Sequence, residues 1–374
     1  MKKILFLITG LNVGGAENVL FRFLTKIDRK KYKVKVISLI ELGPIAYKIN
    51  DLDIEVVSIK MKSIFSLPKS IFLFLKKTKE FNPDLIHAFM THAALISSLA
   101  SIFHKRSVIV WNIFCNDLSL RANSFLTTIM MKICSFLSYK VPKKIIVDSK
   151  SAFTAHKNAG YASIKMNIVN NGVDTEYFKP NKSLDKKYKE KFFKTDDFII
   201  GMIARYHPVK AHDIFLKAAS IVTKEKKNIK FLLNGQGVEN NKNITEIIKE
   251  EQIEEFVHLS NDNLNIKTVL PICDLLISPS HFESFPNIIC EAMAFEIPCI
   301  VTNVGDCKLI VGEYGRVVNP NNPQKIAEAI KIMVSLPSER LIKTGKMARK
   351  RIIDNFSIDL MHKKYEKIYK ELGI

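Results

Sequence analysis

The strongest constraint on this chain is a rhythm. Short runs rich in Ile and Val recur from end to end: KILFLI, KVKVISLI, IEVVSI, DLIHAF, SVIVW and KIIVDS in the first half, then FIIGMIA, IKFLLNG, FVHLS, CDLLISPS and IPCIVTN in the second. Segments with helical spacing lie between them, among them AENVLFRFLTKI, VKAHDIFLKAASIVTKE and PQKIAEAIKIMVSL. A strand that is apolar on both sides must be covered on both faces, and parallel strands need crossover helices to join them. The alternation therefore predicts an α/β protein with parallel sheets. A length of 374 residues exceeds one ordinary core, so two such domains are expected. The charged, apolar-poor stretch NKSLDKKYKEKFFKTDD (Asn181 to Asp197) reads as a linker and surface helix between them. Ligands of open parallel sheets bind beyond the carboxyl ends of strands, which directs the search to strand-end loops.

Charge is unevenly placed. The chain carries +20 overall, with 27 Lys+Arg against 12 Asp+Glu in residues 1–180 and 30 against 25 in the remainder. A basic first half suits an anionic membrane, nucleic acid or polyphosphate partner. No aromatic-interleaved basic motif of a nucleic-acid reader accompanies it, so nucleic acid is not expected. The six cysteines form no C-x-x-C pair, and most lie in apolar runs such as IPCIVT, as in a reducing compartment. MKKILFLITG has an apolar core of only Ile4 to Ile8 and no A-x-A site after it, so it reads as a first strand and not as a secretory signal. No uninterrupted apolar run reaches the 18 or so residues that span a bilayer.

Several strand ends carry chemistry. TGLNVGGAENVL places Gly10, Gly14 and Gly15 where the first strand turns into a helix, a site where backbone N–H groups can approach a phosphate. The spacing is not the dinucleotide G-x-G-x-x-G, and a ligand-free turn is the alternative. DLIHAFMTHAALI puts His87 inside the fourth strand and His92 beyond its end; a structural histidine is the alternative at each. GMIARYHPVK puts Arg205 after the first strand of the second half and Lys210 five residues on, before an amphipathic helix. Two cations there suit a diphosphate, against the alternative of a solvated basic loop. FLLNGQGVEN ends the next strand on Gly235 and Gly237. In HFESFPNIICEAM, Glu283 stands on a loop and Glu291 about a turn and a half into the helix that Pro286 opens, with N–H groups of Phe285 and Asn287 at its start. Two carboxylates flanking a helix start suit sugar or ribose hydroxyls; solvated glutamates with Ser284 as a cap are the alternative. No cluster has metal-ligand spacing, and the Asp51–Asp53 D-x-D precedes a strand instead of ending one.

Taken in order, GGAE, IHAFMTHAAL, VDSKSAFTAH, NNGVD, GMIARYHPVKAHDIFLKAA, NGQG and FESFPNIICEAMAFEIPCIVTNVG resemble glycosyltransferase family 4 over nearly the whole chain. Glu283 and Glu291 match its E-x7-E signature. The resemblance implies the GT-B fold: two Rossmann-like parallel-sheet domains facing across a cleft, an acceptor domain in residues 1–175, a nucleotide-sugar donor domain in 176–356, and a C-terminal helix in 357–374 that packs back on the first. It implies that Gly14 and Gly15 lie near the diphosphate or the acceptor and that His92 contacts the donor sugar. Arg205 and Lys210 would neutralise the departing nucleoside diphosphate. Glu283 would hold sugar hydroxyls, assisted by the backbone around Ser284, Phe285, Pro286 and Asn287. Gly235 would close on the donor, and Glu291 would hold the ribose. One departure stands out. Ala211 follows Lys210 where the family often has glycine, so a backbone conformation that needs glycine is not expected there.

The implied activity is retaining transfer of a hexosyl or N-acetylhexosaminyl group from a nucleotide sugar, UDP-linked, without a cofactor or metal. The acceptor would be lipid-linked or a surface polysaccharide, on the cytoplasmic face of the cell membrane. MKSIFSLPKSIFLFLKKTKE (Met61 to Glu80) and SFLTTIMMKICSFLSYKVPKK (Ser124 to Lys144) mix lysines with large apolar residues and suit interfacial helices on an anionic leaflet; a helix packed on the sheet is the alternative for each. The competing functions are a non-catalytic nucleotide-sugar-binding partner of another transferase, a basic nucleic-acid binder, and a dinucleotide oxidoreductase.

Overall fold

The computed structural model describes residues 1–61, 67–114, 124–181, 189–260 and 265–374. Cys115 and parts of the Asn181–Asp197 and Met61–Glu80 stretches lie outside the described residues. The chain forms two compact units, Met1–Gly172 with Ile358–Ile374, and Val173–Ser357.

The first unit is built on β1 (Lys2–Ile8), β2 (Tyr32–Ser38), β3 (Glu55–Ser58), β4 (Leu85–Phe89), β5 (Val108–Ile113), β6 (Lys144–Val147) and β7 (Met166–Ile168), in the order β3-β2-β1-β4-β5-β6-β7. The second holds β8 (Phe198–Ile203), β9 (Ile229–Asn234), β10 (Val257–Leu259), β11 (Leu275–Ser278), β12 (Cys299–Thr302) and β13 (Arg316–Val318), in the order β10-β9-β8-β11-β12-β13. Every pairing within both sheets is parallel. The α/β expectation holds, and each apolar run quoted above contains a strand. Among the described strands β7 and β13, three residues each, escaped the sequence pattern, whereas the equally short β10 was marked by the apolar run FVHLS.

Near-continuous apolarity in the strands has a direct structural counterpart. Ile4, Phe6 and Ile8 of β1 enter one core cluster, while Leu5 and Leu7 enter another on the opposite face. β8 divides in the same way, Ile199 and Ile203 to one side and Ile200 and Met202 to the other. Side chains alternate at a period of two, so a strand with helices on both faces must be apolar at every position. The final helix, Ile358–Glu371, joins the first unit's core through Ile358, Met361, Tyr365, Ile368 and Tyr369. Its aromatic face packs on Phe23, with Phe23–Tyr365 centroids 4.8 Å apart. Two buried hydroxyls tie it to the sheet: Tyr369 is 2.7 Å from His87 Nδ1 in β4, and Tyr365 donates to Asn112 Oδ1 in β5 at 3.2 Å.

What positions chemistry is the strand order. In the first sheet the winding direction reverses between β1 and β4, and in the second between β8 and β11. At such a switch point the crossover helices leave in opposite directions and open a crevice beyond the carboxyl ends of the two strands.

Candidate active site

In the second unit, the loops after β8 and β11 meet at the switch point. β8 is followed by Ala204 and then Arg205, which is exposed. The next residues form a tight turn, Pro208–Lys210: His207 Nδ1 accepts from the Val209 N–H at 3.3 Å, and Pro208 sits in the first turn. Ala211 closes that turn and starts the His212–Thr223 helix. It does so with φ +56° and ψ +50°, in the left-handed region. This corrects the sequence expectation for residue 211. The glycine-type conformation is kept although the side chain is alanine, at a cost of roughly 1–2 kcal/mol that the surrounding packing must offset.

The turn is pinned to the loop after β11. The His281 N–H donates to the Val209 carbonyl at 2.8 Å. Lys210 Nζ donates to Glu283 Oε1 at 2.5 Å, and Ser280 Oγ donates to the same oxygen at 2.7 Å. Ser280 is itself fixed, since its carbonyl accepts from Thr302 Oγ1 of β12 at 2.6 Å. Lys210 and Glu283 side chains are 25% and 11% exposed, so the pair is shielded yet open on one side. Close backbone approach holds the frame. Gly305, at φ +51°, lies where a Cβ would strike the Glu283 carbonyl, and Gly235, at φ +150°, where one would strike the Ala204 carbonyl and press on the Arg205 nitrogen. The Asp306 N–H donates to the Ser284 carbonyl at 3.0 Å.

The helix that follows is Asn287–Ala294, with Pro286 at its N-cap and not inside its first turn. Phe285 is buried and its ring packs on Phe356, centroids 5.6 Å apart. Glu291 is buried on this helix. Among the described residues, the buried Asn287 Oδ1 and His281 Nδ1 have no hydrogen-bond partner, and they flank Glu283 in sequence on either side.

In the first unit, the switch point carries His92 and the glycine loop. β4 ends at Phe89, and Met90 bridges to the Thr91–Phe103 helix with φ +74° and ψ +163°, a conformation that ordinarily belongs to glycine. The strain is held by the Met90 N–H donating to the Asn112 carbonyl at 2.9 Å. His92 follows in the first helical turn, half-buried, and burial holds its imidazole below the usual pKa, so it is neutral at pH 7. Gly14 is the N-cap of the Gly15–Lys26 helix. The Glu17 carboxylate lies where a Cβ on Gly14 would sit, while nothing stands within 4 Å of that position on Gly15. Val13 beside them is 72% exposed.

The structure thus brings Lys210 onto Glu283, and Gly235 against Ala204 and Arg205, although these pairs lie far apart in sequence. His92, Gly14 and Gly15 lie in the first unit and all other expected site residues in the second. Sequence reading missed Ser280 and Thr302. A serine in SPSHFES reads as an ordinary loop residue; its position three before Glu283 was the available signal. Among the described residues no group of three or more His, Cys, Asp or Glu could hold a metal ion, and no helix is long and apolar enough to cross a membrane.

Comparison with known proteins covers both units. The family described as Glycosyltransferase Family 4 matches residues 13–177, and that described as Glycosyl transferases group 1 matches residues 185–351. The capsular polysaccharide biosynthesis glycosyltransferase CapM of Staphylococcus aureus is 26% identical over 329 residues, covering 81% of this chain and 80% of the relative. The UDP-Gal:alpha-D-GlcNAc-diphosphoundecaprenol alpha-1,3-galactosyltransferase of Escherichia coli is 24% identical over 323 residues, covering 84% and 80%. The crystal structure of Anabaena HepE in complex with UDP-glucose superposes with a TM-score of 0.86 at 20% identity, covering 99% of this chain and 100% of that one. At that identity the likeness speaks to fold.

Proposed function

Because the chain belongs to glycosyltransferase family 4 and has the GT-B fold, we propose that it is a retaining enzyme moving a hexosyl or N-acetylhexosaminyl group from a UDP sugar to a lipid-linked or surface-polysaccharide acceptor at the cytoplasmic face of the cell membrane. The observation that carries this reading is the Lys210–Glu283–Ser280 cluster at the β8/β11 switch point. A nucleotide sugar presents an anionic diphosphate next to a ring of hydroxyl donors. An ammonium already paired with a carboxylate matches that sequence of groups: phosphate oxygens to Lys210, hydroxyls to Glu283.

Transfer builds positive charge on the anomeric carbon and negative charge on the departing phosphate. Lys210, with Arg205 beyond β8, stabilises the leaving phosphate, and such pre-placed charge in a shielded site is worth orders of magnitude in rate. Glu283 binds and does not attack. Its Oε1 accepts from both Lys210 and Ser280, which lowers its nucleophilicity. The acceptor hydroxyl then enters on the face the phosphate leaves, passing its proton to an oxygen of the departing phosphate, which retains the anomeric configuration. Glu291 takes the ribose, and neutral His92 meets the donor sugar. The Glu17 carboxylate beside Gly14 would repel a phosphate but accept hydroxyl hydrogens, so the glycine loop serves the acceptor side. The E. coli relative's donor is UDP-Gal and its acceptor a diphosphoundecaprenol-linked sugar, which supports a UDP donor and a lipid-linked acceptor.

Melting of the full chain across UDP-, GDP- and other nucleotide sugars, with and without EDTA, tests the reading. The expected result is a rise in melting temperature with a UDP sugar that EDTA leaves unchanged, followed by donor turnover. Stabilisation only in the presence of a divalent metal, or by no nucleotide sugar, would overturn it. Binding without any turnover would favour the non-catalytic alternative.

A further inference from the structure

We infer that the Phe125–Ser138 helix is an interfacial anchor that lays an apolar stripe into an anionic bilayer beside the acceptor edge of the first unit. Phe125, Leu126, Ile129, Ile133 and Phe136 are 70%, 63%, 38%, 43% and 67% exposed. At about 100° per residue these five fall within an arc of about 100°, one continuous stripe along the helix. The opposite side is the packed one: Met131, Cys134 and Ser138 are buried. Hydrogen bonds fix that side, with Tyr161 Oη donating to the Met131 carbonyl at 3.1 Å and Ser135 Oγ to the Ala159 carbonyl at 2.9 Å. The helix therefore satisfies both readings of its sequence at once, packed on one face and apolar to solvent on the other. Single exposed apolar residues are ordinary, but a contiguous stripe marks an interaction surface.

Its height on the sheet matters. The chain leaves β5 at the carboxyl end and enters the parallel strand β6 at the amino end, so the helix runs from the carboxyl edge downward. Cys134 Sγ lies 3.8 Å from the carbonyl of Thr91, the first residue of the helix after β4. Phe125 is nine residues before Cys134, hence about 13 Å farther out at 1.5 Å per residue. The outer half of the stripe thus stands beyond the strand ends, on the edge that carries His92 and the glycine loop.

Charge selects the occupant. From Ser124 to Val147 there are four lysines and no acidic residue. Lys132, Lys140 and Lys143 are exposed, and Lys140 Nζ sits 5.5 Å from the centre of the Phe136 ring. Lysines interleaved with a large apolar stripe suit anionic headgroups above acyl chains, with the amines reaching back to the phosphates. An acidic protein partner or a second copy of this chain would be a different surface, and the test separates them. The inference locates the membrane contact of the proposed function and rests on that part of it; vesicle binding is scored without donor or acceptor, so its failure leaves sugar transfer standing.

The full chain is sedimented with phosphatidylcholine vesicles containing phosphatidylglycerol and with pure phosphatidylcholine vesicles, across a salt series. Wild type should bind the former and be released by salt. The triple variant Phe125→Ser, Leu126→Ser, Phe136→Ser should lose binding by about tenfold or more, with an unchanged nucleotide-sugar melting shift. Undiminished binding by the triple variant overturns the inference, as does failure of wild type to bind at low salt. A wild-type dimer that the variant converts to monomer overturns it too, because the stripe would then be covered by a second copy.

Discussion

Ser280 is a small residue with two holds on the geometry of the site. Its hydroxyl donates to Glu283 Oε1, and its carbonyl is fixed by Thr302 of the neighbouring strand. Ser280→Ala removes one hydrogen bond to a charged group while leaving Lys210 in place. Donor KM should rise by about ten- to a hundredfold, as expected for a loss of roughly 1.5–3 kcal/mol of ordering at a carboxylate, with melting nearly unchanged. Ser280→Thr, which keeps the hydroxyl, should recover part of the loss. An unaltered donor KM in the alanine variant would mean that Glu283 is oriented by other groups. At this scale the sequence was informative about residue types and silent about contacts. The E-x7-E spacing and the Arg–x4–Lys spacing stand on the page, but the meeting of Lys210 with Glu283 depends on β8 and β11 being neighbours, and strand order is not written in any local period. Ala211 shows the converse limit. Its identity argued against a left-handed turn, and the turn formed anyway because His207, Pro208 and the pinning by His281 define it.

Among the elements, strands were easier to read than the faces of helices. A strand covered on both sides is apolar throughout, so composition alone marks it; the Phe125–Ser138 helix places apolar residues on its packed side and on its open side alike, so its pattern does not tell the two apart. The final helix carries a testable consequence of burial. His87 sits fully buried in β4 against Tyr369, and burial pushes its pKa from 6.5 down to about 3. Burial likewise takes His156 and His212 down to about 4. A histidine with a lower pKa folded than unfolded binds its proton only on unfolding when the pH lies between the two values. Stability from these residues is therefore complete above about pH 6.5 and is lost as pH falls toward 4, each contributing up to about 1.4 kcal/mol per pH unit. Urea unfolding midpoints should fall steeply from pH 6.5 to pH 4.5, and less steeply in His87→Asn. A flat profile, or an equal slope in the variant, would show that these rings are protonated within the fold.

For the whole molecule, the two units repeat one physical solution with different chemistry at its focus. Each sheet reverses its winding beside its first strand, and each places the residues we propose for the site at that reversal: His92 and the Gly14–Gly15 loop in one, Arg205, Lys210 and Glu283 in the other. Both sets are candidates that the sequence already pointed to, because open parallel sheets bind ligands at their strand-end loops. The charge excess of the first half stands in the sequence too, and among the described residues the exposed stripe of the Phe125–Ser138 helix is where we propose that it acts. The central claim is that Lys210 stabilises the departing nucleoside diphosphate, and sugar transfer by Lys210→Ala tests it most directly. Turnover of the UDP sugar that stabilises wild type should drop by about 10²–10³-fold in the variant, with circular dichroism and donor-free melting showing the fold intact. Near-normal turnover in a folded Lys210→Ala protein would contradict the account.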